Sequence, residues 1–429
     1  MLRRLVDVEP GEVGAMLLGC LYFFFTLASY FVLRPIRDEL AVAAGARTLP
    51  YLFTGTLAAM LVASPIFSAL VVRFPAKRFI GITYQFFAAN LVLFFLAPRL
   101  GIDAAVAGRT FFVWTSVFNL FVVSVFWSFM ADTFRSDQAK RLFGFIAVGG
   151  TLGSITGSAL TAFLARSLGT PNLLLISAAL LEGAAFLVAI FPAASADGRV
   201  PRAADERARR AIGGSVWAGI THVTRSRYLL GISGFLFLYT VGATILYFAQ
   251  TEIVGAHLTS REARTAMLAR MELATQTLTA IIQILLTGRV IRAVGLPAAL
   301  AIMPAVSVLG FAALGAGGLS VLSTFVVFSV VRRATNFGLT NPSMEVLFTV
   351  VSREDKYKAK TFIETFVYRA GDQLAAWGYA GLAALGFGLA AIAWLAVPLS
   401  AIFMALGVWL GREQGGRARE APVPATRSA

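Results

Sequence analysis

VLSTFVVFSVVRRATNFGL (residues 321–339) and TFIETFVYRAGDQLAAWGYAGLAAL (residues 361–385) decide how this chain is read. Each is long and apolar enough for a bilayer-spanning helix, which needs about 20 residues to cross about 30 Å of hydrocarbon. Yet the two stretches carry Arg332, Arg333, Glu364, Arg369 and Asp372, and Lys356, Lys358 and Lys360 lie between them. An ionised side chain at membrane depth costs several kcal/mol unless it is paired or wet. Charges kept there point to work on something polar that crosses the membrane.

The rest of the chain agrees. It has 429 residues, 58% hydrophobic and 14% charged, with mean hydropathy +0.77. A soluble domain normally carries about a quarter charged residues. Apolar runs predict twelve spans, near 13–33, 50–72, 79–97, 110–131, 142–165, 173–194, 228–250, 266–287, 296–316, 319–341, 361–385 and 388–411. The expected fold is therefore an all-α integral membrane protein, with twelve transmembrane helices in two six-helix bundles. The first bundle takes 1–194 and the second 228–411. The polar, Arg-rich stretch 195–227 is expected to link them along the inner membrane surface. The Gly-, Arg- and Pro-containing stretch 412–429 has no apolar periodicity and reads as a disordered cytoplasmic tail.

A net charge of +15 raises the question of nucleic acid. Its distribution answers it: the inner segments of this topology hold 25 Lys and Arg and the outer loops eight. That is the positive-inside pattern, which places both termini in the cytoplasm and the chain in the inner (plasma) membrane, with no role for nucleic acid. Enzyme signatures are missing. His222 and His257 are far apart, Cys20 is the lone cysteine, and no phosphate-binding glycine loop occurs. No metal, cofactor or catalytic residue is expected, and nothing calls for more than a monomer.

Polar residues fall on helix faces. Glu272, Gln276, Thr279 and Gln283 share one face of the eighth span; Thr240, Thr244, Tyr247 and Thr251 share one of the seventh. The first span offers Tyr22, Thr26 and Tyr30, then Arg34, Arg37 and Asp38 at its outer end. Lipid cannot hydrogen-bond such groups, so they turn to a neighbouring helix or a wet cavity. The Glu272 face reads as cavity lining. In the eleventh span Lys360, Glu364, Tyr368 and Asp372 form one stripe, where Lys360–Glu364 and Arg369–Asp372 can pair. Gly149, Gly150, Gly153 and Gly157, with Ser154, Ser158 and Thr161, make a small-residue face suited to close helix packing. Glu182 in the sixth span stands isolated.

Two loops, SALVVRFPAKR (68–78) and TGRVIRAVGLP (287–297), occupy equivalent points of the two halves. Both resemble eroded copies of the major facilitator superfamily motif Gly-x-x-x-Asp-Arg-x-Gly-Arg-Arg, without its Asp. Such halves rock about a central site near the bilayer midplane. Two further segments are similar to the ATP/ADP translocase family of plastids and intracellular bacteria. They are LRPIRDEL (33–40) with LPYLF (49–53), and TNFGLTNPSME (335–345) with KYKAK (356–360). Phe126-Trp127 with Ala139-Lys140-Arg141 echoes a third. The resemblance implies the facilitator architecture, and substrate contacts at Arg37 and at Lys358 or Lys360. The family's acids in the fourth and seventh spans fall near Thr115 and Tyr247, neither of them acidic, so the resemblance does not by itself imply nucleotide specificity.

The resulting expectation is a secondary active transporter moving a small anionic solute by alternating access. Arg37, Arg333, Lys358, Lys360, Tyr247 and Gln276 would bind it. Glu272, Glu364, Arg369, Asp372, Arg34 and Asp38 would gate it or carry a coupling proton. The alternatives are ATP/ADP exchange, a proton-coupled efflux permease, and a non-transporting scaffold or sensor.

Overall fold

The computed structural model describes residues 9, 12–191, 223–224, 226–317, 320–351, 359–360 and 362–420. Among them every regular element is helical. In chain order these are α1 (Val13–Ala44), α2 (Leu49–Arg73), α3 (Ala76–Leu96), α4 (Ala104–Thr133), α5 (Ser136–Leu168), α6 (Thr170–Ile190), α7 (Arg227–His257), α8 (Arg261–Ile281), α9 (Thr287–Gly315), α10 (Val321–Thr335), α11 (Asn341–Leu347), α12 (Tyr368–Ala384) and α13 (Leu389–Glu420). Among the described residues nine segments are long and apolar enough to cross a bilayer, and one of these, Arg261–Gly315, has 55 residues, enough for two crossings. Gly295 divides that segment: its φ of 77° lies in the left-handed region and breaks the helix axis just before Pro297. The chain is a multi-pass helical membrane protein.

The described residues form two compact units. The first comprises Met1–Asp205 with Val254–Gln276, and the second Glu206–Ile253 with Thr277–Ala429. In the first, α1 packs on α4, α5 and α6. Its tightest seam is with α5, because the expected small-residue face meets backbone there. A Cβ on Gly149, Gly153 or Gly157 would overlap the carbonyls of Cys20, Phe24 or Ala28. Thr161 Oγ1 closes the seam by donating to the Val32 carbonyl at 3.3 Å. Aromatic rings fill the core: Phe23 stacks on Phe126 at 4.1 Å, and the fully buried Tyr22 and Tyr84 share a 2.7 Å hydrogen bond. The Tyr22–Thr26 face is therefore packing, with Thr26 donating to its own helix at Tyr22 O.

In the second unit α9 packs along α13, with Gly407 and Gly411 against the backbone of Leu300 and Pro297. Three of its spans contain a π turn: Ile282–Leu286, Asn336–Thr340 and Ile363–Val367. A π turn holds one residue more than an α turn and loosens the local ladder. The first two lie side by side and satisfy each other. Gln283 Nε2 donates to Phe337 O at 3.1 Å, and Thr287 Oγ1 donates to Gly338 O.

One expectation fails at the end of the chain. The stretch from 412, read as structureless, remains helical to Glu420. Arg417 donates to Glu413 at 3.0 Å, and its guanidinium lies 4.6 Å from the centre of the Tyr228 ring. An i,i+4 ion pair and a cation–π contact each stabilise by a few tenths to about 1 kcal/mol. Apolar periodicity alone could not reveal them. Most of the linker at 195–227 lies outside the described residues.

Candidate functional site

In the first unit one group of charges lies at one end of α1 and in residues 261–276. Arg34 Nη1 stands 3.2 Å from Glu272 Oε1, and Gln276 Nε2 donates to the same oxygen at 2.8 Å. Ser154 Oγ of α5 donates to Gln276 Oε1 at 3.4 Å. Glu272 is 2% exposed. Four residues singled out separately or as a stripe thus form one chain of contacts, Arg34–Glu272–Gln276–Ser154. Thr279 and Gln283 are not part of it: Thr279 Oγ1 is buried without a partner among the described residues, and Gln283 serves the π turns.

One turn along α1, Glu39 is clasped by two arginines. Arg261 Nε donates to Oε2 at 3.2 Å; Arg264 donates to Oε1 from Nε at 3.2 Å and from Nη2 at 2.9 Å. By sequence these arginines count only as outer-loop charges. Arg37 lies with its guanidinium 4.1 Å from the Phe112 ring centre, Nε 3.4 Å from Phe112 O and Nη1 3.9 Å from Asp38 Oδ1. The last is a loose neighbour contact, so Arg37 is oriented mainly by the ring.

In the second unit the decisive residue is Arg332. It is 2% exposed, and it donates from Nε to Ser307 Oγ and from Nη2 to Tyr239 O, each at 3.0 Å. Its guanidinium lies 5.4 Å from the Tyr239 ring centre, and Asn336 Nδ2 donates to the Tyr239 hydroxyl at 3.0 Å. Every one of these partners is neutral, and no carboxylate pairs with Arg332 among the described residues. The expectation from sequence names Arg333 of this pair. Spacing does not separate them, since Ser329 and Asn336 lie three or four positions from both arginines; the structure does, with Ser329, Arg332 and Asn336 buried and Arg333 only partly so.

Several other acids and bases of this unit are engaged. Thr244 Oγ1 donates to Asp372 Oδ1 at 3.1 Å, and Arg369 Nη1 stands 3.7 Å from Asp372 Oδ2. Lys360 meets Glu364 at 3.7 Å, as its spacing suggests, but its shorter contacts are 2.7 Å to both oxygens of Glu345. Glu252, not singled out in the sequence, accepts from Tyr379 Oη at 2.8 Å. The seventh-span stripe divides: Thr244 reaches Asp372, while Thr240 and Thr251 bond to their own helix at Leu236 O and Tyr247 O. Lys358 lies outside the described residues.

No known family's sequence profile matches this chain, and no curated protein matches it by sequence. Solved structures do. The nucleoside transporter NupG superposes with a TM-score of 0.61 at 15% identity, covering 96% of this chain and 100% of that one. A D-xylose–proton symporter gives 0.59 at 15%, covering 97% and 98%. A bacterial homologue of the human lysosomal transporter Spinster, inward-facing and unoccupied, gives 0.58 at 13%, covering 97% and 100%. The chain has the fold of these transporters. That fold is of the major facilitator type, and it spans nearly the whole of each.

Proposed function

We propose that this chain is a secondary transporter that moves a small anionic solute by alternating access. The observation that carries the reading is Arg332, a buried guanidinium with neutral partners inside a membrane helix. An uncompensated buried cation is expensive, and it persists where an anion or a moving counter-charge uses it. Arginine suits the task, because its planar fork grips carboxylate or phosphate with two parallel hydrogen bonds. Arg37, held open against Phe112, is the complementary cation of the first unit. Arg333, Tyr247 and Gln276 remain proposed contributors. The likeness to nucleoside and sugar–proton transporters supports transport of a small solute, and the positive-inside pattern supports cytoplasmic termini in an inner membrane.

A narrower reading is nucleotide exchange. Within the second of the segments that resemble the ATP/ADP translocases, Glu345 and Lys360 form an ion pair. In this reading Lys360 leaves Glu345 to meet a phosphate. Arg369 and Asp372, or Glu272 and Arg34, would then exchange partners as the transporter changes state.

The test is a thermal-shift screen of the purified protein with nucleotides, sugar phosphates, carboxylates and neutral nucleosides and sugars. A ligand at a hundred times its dissociation constant stabilises by about 2.7 kcal/mol. An anion should stabilise the wild type and not Arg332→Gln, with uptake into proteoliposomes lost in parallel. Stabilisation by neutral solutes alone, unchanged in Arg332→Gln, refutes the anionic class.

A further inference from the structure

The first unit carries a further polar pair, between α3 and α6. Gln85 of α3 donates from Nε2 to Glu182 Oε2 of α6 at 2.6 Å, and the pair is exposed. Its surroundings are apolar and equally exposed, with Ile82 at 52%, Phe86 at 60% and Phe186 at 64%. The depth is set by Lys77, which donates to Phe191 O where α3 and α6 meet at their polar ends. Gln85 lies eight residues further on, about 12 Å along the axis at 1.5 Å per residue. That is close to the middle of a 30 Å hydrocarbon layer. Glu182 is therefore not isolated, but its one partner leaves much unmet. Among the described residues, Glu182 Oε1, the Gln85 carbonyl oxygen and one Gln85 N–H have no partner, and lipid tails provide none.

We propose that this α3–α6 face is a homodimer interface within the membrane. The leftover groups are self-complementary: one copy exposes both a spare carboxamide N–H and a spare carboxyl oxygen. A two-fold axis along the membrane normal brings two such pairs together at the same depth, each N–H meeting the other copy's acceptor. Carboxamide and carboxyl side chains drive transmembrane helix association in this way. Ala89, one turn from Gln85 on the same exposed stripe, lets the backbones approach. A second copy satisfies every leftover group, whereas an acyl chain satisfies none. The proposal departs from the monomer expected from the sequence.

The test uses full-length protein in lipid vesicles on a Cys20→Ser background. Ala89→Cys should crosslink across the interface, and Phe163→Cys, 70% exposed on α5, should not. Single-molecule photobleaching should give two steps, and Gln85→Leu with Glu182→Leu should weaken association at least tenfold. Both substitutions are on an exposed face, so the double variant should elute and melt like the wild type. One-step bleaching of the wild type, meaning lipid contact only, overturns the proposal. Undiminished dimers in the double variant overturn it too, since another face would then hold them.

Discussion

Replacing Glu39 with Gln should release residues 261–264 from α1. The carboxylate is 1% exposed at its side chain and accepts three N–H groups, two of them from the fork of Arg264, itself 17% exposed. Removing one partner of a buried pair costs about 3–5 kcal/mol, because the other charge is left uncompensated. Arg261 is 44% exposed, so solvent screens its share to well under about 1 kcal/mol. The sum is near 3 kcal/mol, or about a hundredfold in the equilibrium for local detachment. Val42, one turn along α1 and 6% exposed, reports that event, because Gly255, six residues before Arg261, lies beside it. With Val42→Cys on a Cys20→Ser background, thiol labelling should proceed about a hundredfold faster in Glu39→Gln. Arg264→Gln should act similarly, and the two together should be far less than additive. An unchanged labelling rate, or full additivity of the two substitutions, would refute the clasp.

Other outcomes follow from the same geometry. Gly153→Val should destabilise by about 1–3 kcal/mol through overpacking against the Phe24 carbonyl, whereas Gly144→Ala, with open space around its Cα, should be neutral; melting temperatures in detergent distinguish them. Burial pushes the Glu12 carboxyl up, but hydrogen bonds from Glu9 N–H, Gln138 and Arg141, together with the Arg141 charge, outweigh it and hold the group below its usual value. Its contribution should be fully present above the ordinary carboxylate range near 4.3 and fade as pH falls through its lower folded value. The stability gap between wild type and Glu12→Gln should therefore be flat from pH 8 to 5 and close in stronger acid. Glu345, 59% exposed, makes a surface-type pair with Lys360. Lys360→Met and Glu345→Gln should each cost under about 1 kcal/mol in stability, while only Lys360→Met should abolish uptake if Lys360 meets the solute.

Much of this molecule could be read before folding, and the reasons are local. Hydropathy along the chain carries the spans, because a bilayer demands long apolar helices with internal hydrogen bonds. The Gly149–Gly157 face and the Arg369–Asp372 pair follow from helical spacing alone. Partners distant in sequence do not. Arg34 finds Glu272, and Arg264 finds Glu39, across more than two hundred positions. Nothing in the chain marks Arg261 and Arg264 as different from topology-setting charges. The choice of Arg332 over Arg333 is not available from spacing, because Ser329 and Asn336 lie three or four positions from both; only burial in the folded helix decides it. The helix beyond 411 rests on one ion pair and one ring contact, which composition does not announce.

The π turns give the second unit a property that the first, among its described residues, does not have. Each holds one surplus residue, so it behaves as a dislocation in an otherwise regular one-dimensional lattice. A dislocation can glide. If the surplus residue at 336–340 moved along the helix, each residue it passed would advance about 1.5 Å and swing by about 100°, one residue's share of a 3.6-residue turn. Arg332 lies four positions before that turn, and the turn at 282–286 lies against it. Glide in one would break the hydrogen bonds from Gln283 and Thr287 that bind the two. Their displacements are thereby geared, and the orientation of a buried cation can be reset without unfolding a helix.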